Sequence, residues 1–312
     1  MIVAAGRGTR LAPLTDWVPK PAVPVRGLPL IAYPLALLAE HGVDEVIINL
    51  HHLPDALREA ALAHCPPGMR LEFSVEEELL DTGGGIRRAA DFLRESDPCL
   101  ILGGDMLLDF DLGGLLRAHR DDAAVTMLLK EDPRVATFGS VGVDAEGVVR
   151  RIGSRFDFRN DPGEEARAGI YVWANLVSAR AFDSLPEREV FSHIDHWWAP
   201  LLSNGARDIR GVFEPCTWEP VGTLPEYLHA NFHPPSLRFI DPDAQAQARG
   251  VQIDAHWVCG AGAQVGAGAS LDRVVVWDGE RIPAGFEARN GVFAGGRFIG
   301  LPERDADDGS SS

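Results

Sequence analysis

The chain opens on MIVAAGRGTRLAPLTDWVPKPAVPV, and this stretch limits what the rest can be. Residues 1–5 read as a short buried strand. Gly6-Arg7-Gly8-Thr9-Arg10 follows as a glycine-rich loop with two guanidinium groups, and Lys20 stands between Pro19 and Pro21. Successive backbone N–H groups in such a loop form a concavity that suits phosphate. Arg7, Arg10 and Lys20 add positive charge, and an arginine fork grips phosphate oxygens in pairs. The prolines fix their own φ and remove two donors, so Lys20 should leave a stiff, extended segment. The stretch reads as a holder for a polyphosphate. A G-x-G turn alone is weak evidence. The dinucleotide fingerprint needs a third glycine where Leu11 stands, and the P-loop needs Gly-Lys-Ser/Thr, so both are excluded.

Behind that loop, helical spacing at 29–41, 54–64, 84–94 and 111–120 alternates with apolar strands at 45–50, 70–75 and 99–102. Asp111 is placed to cap the last helix. Alternation at this spacing predicts an α/β fold: a Rossmann-like mixed, mostly parallel sheet with helices on both faces. Ligands of such sheets bind at the carboxyl ends of the strands. The opening loop, the segment 82–85 and Asp105 all fall at such ends and should share one crevice.

From 123 to 149 the pattern becomes strands with turns, followed by a polar loop at 159–167 and a strand at 168–173. Helices are expected at 178–184, 192–203 and 223–233, with a strand at 209–213. After Pro234-Pro235 glycine, alanine and valine dominate. Ile253, Val258, Val265, Leu271, Val276 and Ile282 recur about every six residues, the mark of a hexapeptide parallel β-helix, here left-handed and two to three coils long. Three units are expected: 1–235, 236–302, and a disordered acidic tail at 303–312.

Charge narrows the partners. With 46 acidic against 29 basic residues the net charge is −17, which argues against nucleic acid. Cys65, Cys99, Cys216 and Cys259 form no C-x-x-C pair, so neither a zinc site nor a disulfide framework is expected. No apolar run reaches membrane-spanning length and no leader is evident, so we expect no membrane partner and a cytoplasmic location. A start inside the first strand leads us to expect a few residues ahead of Met1.

The opening stretch, read through Leu30-Ile31, closely resembles the signature of the sugar-1-phosphate nucleotidyltransferases, the nucleotide-sugar pyrophosphorylases. The likeness continues with Val46-Ile47-Ile48-Asn49-Leu50-His51-His52, Thr82-Gly83-Gly84-Gly85-Ile86, Gly104-Asp105, Ala168-Gly169-Ile170-Tyr171 and Val221-Gly222-Thr223, in family order over about 1–233. The tail resembles the β-helix of mannose-1-phosphate guanylyltransferase-like members. The triple-glycine segment is more similar to N-acetylmuramate-1-phosphate uridylyltransferase-like ones.

The resemblance implies that a sugar-1-phosphate oxygen attacks the α-phosphorus of an NTP and pyrophosphate leaves, with GTP and mannose-1-phosphate first and UTP next. It implies that Ala4, Ala5, Gly6, Gly8, Thr9, Arg10, Thr82, Gly83 and Gly84 bind the nucleotide. The last three would lie against the base. Arg10, Lys20 and Asp105 would be catalytic: Arg10 on the β- and γ-phosphates, Lys20 on the α-phosphate, Asp105 on Mg2+. Gly169 would meet the sugar phosphate, with Arg151, Arg155 or Arg167 beside it. Copies of the chain would join through the β-helix.

Two departures stand out. Family members carry a metal-binding aspartate two residues before the glycine of Val-Gly-Thr, and here Pro220 takes that place. Glu219 is then the second metal candidate. The alternative is a nucleotide- or nucleotide-sugar-binding regulator that has lost catalysis. The usual Glu-Lys-Pro segment before Ala168 is also missing. The remaining features read as structural: His193-x-x-His196 with Asp195 as a packed helix face, His51-His52 as a turn, the acidic run at 76–78 as solvated, Asp109 as a loop polar group, and Trp257 and Trp277 as β-helix packing. An acyltransferase reading of the β-helix lacks a catalytic histidine beyond His256.

Overall fold

The strands expected from the apolar runs form in a computed structural model that describes residues 1–301; the tail at 303–312 lies outside the described residues. In chain order the strands are β1 (Ile2–Val3), β2 (Pro24–Val25), β3 (Leu28–Pro29), β4 (Glu45–Leu50), β5 (Arg70–Val75), β6 (Cys99–Gly103), β7 (Met106–Phe110), β8 (Val125–Lys130), β9 (Val141–Val143), β10 (Val149–Ile152), β11 (Phe156–Asp157), β12 (Arg167–Val177), β13 (Ile209–Val212) and β14 (Cys216–Pro220). The C-terminal part adds β15 (Gln252–Ile253), β16 (Trp257–Cys259), β17 (Gln264–Val265), β18 (Ser270–Val276), β19 (Arg281–Ile282), β20 (Glu287–Ala294) and β21 (Arg297–Gly300). The helices are α1 (Ala32–Glu40), α2 (Pro54–Ala63), α3 (Asp81–Arg88), α4 (Ala90–Leu93), α5 (Leu112–Ala118), α6 (Val135–Phe138), α7 (Ala199–Ser203), α8 (Leu224–Phe232) and α9 (Pro242–Ala248).

One ten-stranded mixed sheet carries the fold. One half of it, β5-β4-β1-β6, is wholly parallel. Side chains alternate across it: Ile48 packs with Ile2, Leu35 and Leu102 on one face, and Ile47 with Met1, Ile86 and Ile101 on the other. Helices therefore cover both faces. The expectation of a mostly parallel sheet is corrected: β12 runs antiparallel to β6, β8 and β9, and β10 pairs antiparallel with β9 and β11. The connection between β9 and β10, residues 144–148, is too short for a parallel crossover, so those two strands pair antiparallel.

Two local features position the site. In β12 the register with β8 shifts between Tyr171 and Asn175, and Trp173 sits there at φ 57°. A bulge of this kind re-aims a side chain, and a positive φ on tryptophan is held only by its surroundings. Separately, β7 and β14 form their own antiparallel pair with Met106 opposite Pro220. That register carries Pro220 and Val221 to Asp105, whose carbonyl accepts from the Val221 N–H at 3.2 Å.

In the C-terminal part, β16, β18 and β20 stack in parallel, with Trp257 opposite Val274 and Val274 opposite Gly291. The chain thus returns to register every 17 residues, and β17 and β19 repeat that step. Val258, Val275 and Val292 pack in the same apolar cluster as Leu11, Leu14 and Tyr227. The C-terminal stack and the segment after the opening glycine loop therefore share one core.

Candidate active site

Asn49, at the inner end of β4, ties the opening loop to the sheet. Its Oδ1 accepts from the Ala4 N–H at 2.7 Å, and its Nδ2 donates to Glu76 Oε1 at 2.8 Å. Glu76 Oε2 then accepts from the Leu80 N–H at 3.0 Å, just before α3. Glu76 is 2% exposed, which corrects the solvated reading of the 76–78 run at that position, while Glu77 and Glu78 are exposed as expected. His52 Nε2 meets the Thr15 carbonyl at 2.7 Å, and Thr15 Oγ1 donates to the Gly8 carbonyl at 3.1 Å. Gly8 sits at φ 63°, where a Cβ would lie 2.9 Å from Lys20 Cβ, so the turn requires glycine. The N–H groups of residues 5–8 have no partner among the described hydrogen bonds, which leaves them as donors.

These supports frame a cavity of about 470 Å³. Its wall includes Ala4, Gly6, Gly8, Thr9, Arg10, Lys20, Thr82 and Asp105, drawn from the three segments expected to converge. Lys20 is 7% exposed and its Nζ donates to Asp105 Oδ2 at 2.7 Å. Gly222 lies against Arg10: a Cβ there would stand 3.3 Å from Arg10 Nη2. Thr223 caps α8, and Glu226 reaches back so that its Oε2 accepts from the Gly222 N–H at 2.6 Å. The opposite wall is aromatic: Phe138 meets Trp218 edge-on at 5.0 Å, and Tyr171 stacks on Trp173 at 5.5 Å.

Several expected residues are elsewhere. Arg7 and Ala5 are not in the cavity wall. The triple glycine lies inside α3 rather than ahead of a helix beginning at 84. Gly83 and Gly84 are outside the wall; a Cβ on either would come within 2.3 Å of Phe191 or the Glu189 carbonyl, so their small size serves helix packing. Gly169 has the same kind of reason, with Phe213 at 2.7 Å from its would-be Cβ.

Strand alternation settles Glu219. Trp218 and Pro220 face the cavity, so Glu219 faces away, and both its oxygens accept from Arg134 Nη1 at 3.1 Å. The second metal candidate is thus tied up by Arg134 on the far face of β14. Arg134 also grips Asp132, whose carboxyl it holds down at about 2. Arg151 is clamped by Glu165, Arg167 by Glu131, and Arg155 by Asp195. None of the three lines the cavity. Asp109 lies within β7 rather than a loop and pairs with Arg238 at 2.6 Å.

A cation would find hard oxygens here, but few. Among the described residues no group of three or more His, Cys, Asp or Glu could hold a metal. Asp105, with one oxygen on Lys20, and Glu226, spent on the Gly222 N–H, are the two carboxylates of the cavity wall. Mg2+ is commonly held by one or two carboxylates together with substrate phosphates, so the donor set fits an ion that arrives with a triphosphate.

His193 lies on the packed helix face expected for it, against Trp198, and it also reaches the cavity wall. It is 2% exposed, lies before a π-helical turn (Ile194–Trp198), and reaches Thr82 Oγ1 through Nδ1 at 2.7 Å. Burial pushes its pKa down to about 3. Its separation of 111 residues from Thr82 left no local pattern to find it by.

The nucleotidyl transferase family profile matches residues 1–234. A mannose-1-phosphate guanylyltransferase of Mycobacterium tuberculosis is 31% identical over 300 residues, which are 91% of this chain and 81% of that protein. A UTP–glucose-1-phosphate uridylyltransferase of Synechocystis is 27% identical over 243 residues, 74% of this chain and 61% of that one. The crystal structure of HddC from Yersinia pseudotuberculosis shares the fold, with a TM-score of 0.61 at 22% identity over 73% of this chain and 96% of that one.

Proposed function

The chain belongs to the nucleotidyl transferase family, and we propose that it moves a nucleotidyl group from an NTP to a sugar-1-phosphate, releasing pyrophosphate. The observation that carries this reading is the Lys20–Asp105 pair, set between the loop with unspent N–H groups and the β7–β14 wall. In-line phosphoryl chemistry asks for positioning and charge neutralisation more than covalent help. Loop N–H groups and Arg10 hold the β- and γ-phosphates. Lys20 holds the α-phosphate and follows the charge that spreads over its oxygens as the bond changes hands. Thr82 contacts the nucleoside end, and the acceptor lies against Trp218, Phe138 and Pro220.

Asp105 would hold Mg2+, which when bound neutralises phosphate oxygens. Glu219 takes no part. GTP with mannose-1-phosphate is the first pair to test, supported by the mycobacterial relative, and UTP the second. The relatives do not favour a regulator without turnover. Four free cysteines suit a reducing compartment, and we place the protein in the cytoplasm. No described helix is long and apolar enough to cross a membrane. We take the 17-residue stack as a short left-handed β-helix through which copies can join.

A panel of NTPs against sugar-1-phosphates with Mg2+, read as pyrophosphate release, tests the assignment. Turnover with one pair supports it. Tight nucleotide binding with no turnover for any pair contradicts it.

A further inference from the structure

Thr82 is a cavity-wall hydroxyl whose behaviour is set from outside the cavity. Two groups of His193 meet its Oγ1: the backbone N–H donates at 3.2 Å and the ring Nδ1 lies at 2.7 Å. The ring is enclosed by aromatics, with Trp198 edge-on at 4.6 Å and Trp173 at 4.7 Å. Its Nε2 is buried with no partner, and so is Trp198 Nε1.

A neutral imidazole has one N–H and one bare nitrogen. With the proton on Nε2, Thr82 would donate to Nδ1. Two buried N–H donors, on His193 and Trp198, would then share this enclosure unpaired. With the proton on Nδ1, the unpaired atoms are one donor and one acceptor. A buried acceptor left bare is tolerated better than a buried N–H. Burial also keeps the ring from taking a second proton, its pKa standing at about 3.

We infer that His193 donates from Nδ1 to Thr82 Oγ1, so that the Thr82 hydroxyl serves the cavity as a donor and selects a nucleobase edge that presents a carbonyl oxygen over one that presents an amine. His193 is thus a positioning residue acting through Thr82. This inference rests on the nucleotide reading above. With both Thr82 lone-pair directions taken by His193, the hydroxyl has only its own proton to offer. An amine at that point meets no acceptor and loses its hydrogen bond to water. One such hydrogen bond is worth about a 2- to 10-fold change in affinity.

The test has two arms, neither of which needs turnover. In the first, the histidine ring nitrogens of 15N-labelled protein are read by long-range proton–nitrogen correlation, with His193→Phe assigning the signal. A proton on Nδ1 is expected; a proton on Nε2 overturns the inference. In the second, equilibrium dissociation constants for UTP, GTP, CTP and ATP are compared in wild type, Thr82→Val, Thr82→Ser and His193→Phe. Thr82→Val should weaken UTP and GTP about 2- to 10-fold and leave CTP and ATP nearly unchanged, with Thr82→Ser close to wild type. His193→Phe should narrow the same preference by freeing the hydroxyl to accept. Equal weakening of all four nucleotides, no weakening, or no nucleotide binding at all overturns it. Selective binding without pyrophosphate release would sink the transferase reading and leave this one standing.

Discussion

Lys20 Nζ lies 2.7 Å from Asp105 Oδ2, so the buried cation of the cavity is neutralised by the carboxylate beside it. A triphosphate entering this site competes with Asp105 for Lys20 and is repelled by the carboxylate. Asp105→Asn should therefore bind NTP more tightly than wild type in metal-free buffer, yet lose the gain that Mg2+ gives. Lys20→Met should lower kcat about 100-fold or more while changing NTP affinity far less, because its main contact strengthens in the transition state. Equilibrium binding beside steady-state rates checks both. Equal metal-free affinities in Asp105→Asn and wild type would contradict the competition.

Pro220 stands on the cavity face of β14 and Glu219 on the other. Glu219→Gln should leave the Mg2+ dependence of turnover unchanged and cost on the order of 1 kcal/mol of stability through the lost Arg134 pair. Pro220→Asp adds a second carboxylate beside Asp105 and should lower the Mg2+ concentration for half-maximal rate. A Mg2+ titration of the three proteins decides; a Glu219→Gln protein that loses its metal response would return Glu219 to the site.

The C-terminal stack braces the phosphate loop. Trp17 packs edge-on against Trp277 at 6.1 Å and under Arg297 at 5.1 Å. Gly295, at φ 57°, has room for no side chain: a Cβ would stand 2.6 Å from Trp17. Trp277 also donates to Tyr227 Oη at 3.1 Å, and Tyr227 donates to the Pro24 carbonyl at 2.7 Å. Gly295→Val should destabilise the whole chain by about 2–3 kcal/mol and raise KM for NTP before that for the acceptor. Thermal melting and substrate titrations read the two effects; an unchanged melt would show the contact to be idle.

Acid should weaken the fold through His193. Its ring stays neutral down to about 3 in the folded chain. In the unfolded chain it takes a proton below about 6.5. Between those values the unfolded state binds the extra proton, so stability falls as pH drops, by about 1.4 kcal/mol per pH unit from this residue. His193→Phe removes that slope. Denaturant unfolding of both proteins at about pH 7 and about pH 5 should show the variant losing less; parallel losses would mean that His193 titrates normally.

The wall of the cavity formed by Gly6, Gly8, Arg10 and Lys20 was legible because these residues and the apolar run of β1 lie in one unbroken stretch of chain. Asp105 was legible as the end of an apolar strand. What stayed hidden depends on register. Whether Glu219 or Pro220 faces the cavity is a one-residue question in a strand, and the pairing with β7 answers it. Arg151 and Arg167 looked available because the acids that clamp them, Glu165 and Glu131, lie 14 and 36 residues away. Glu76 looked solvated because its partner Asn49 sits on a neighbouring strand. The mostly parallel expectation failed because β12 inserts antiparallel beside β6, a pairing that spans more than 70 residues of chain.

The most direct test of the central claim is pyrophosphate release from an NTP and a sugar-1-phosphate with Mg2+, measured in wild type and Lys20→Met side by side. The account predicts turnover for one NTP and sugar-phosphate pair in wild type, and its near-complete loss in Lys20→Met with NTP still bound. Release at the same rate in both proteins, or none in wild type with any pair, would contradict it.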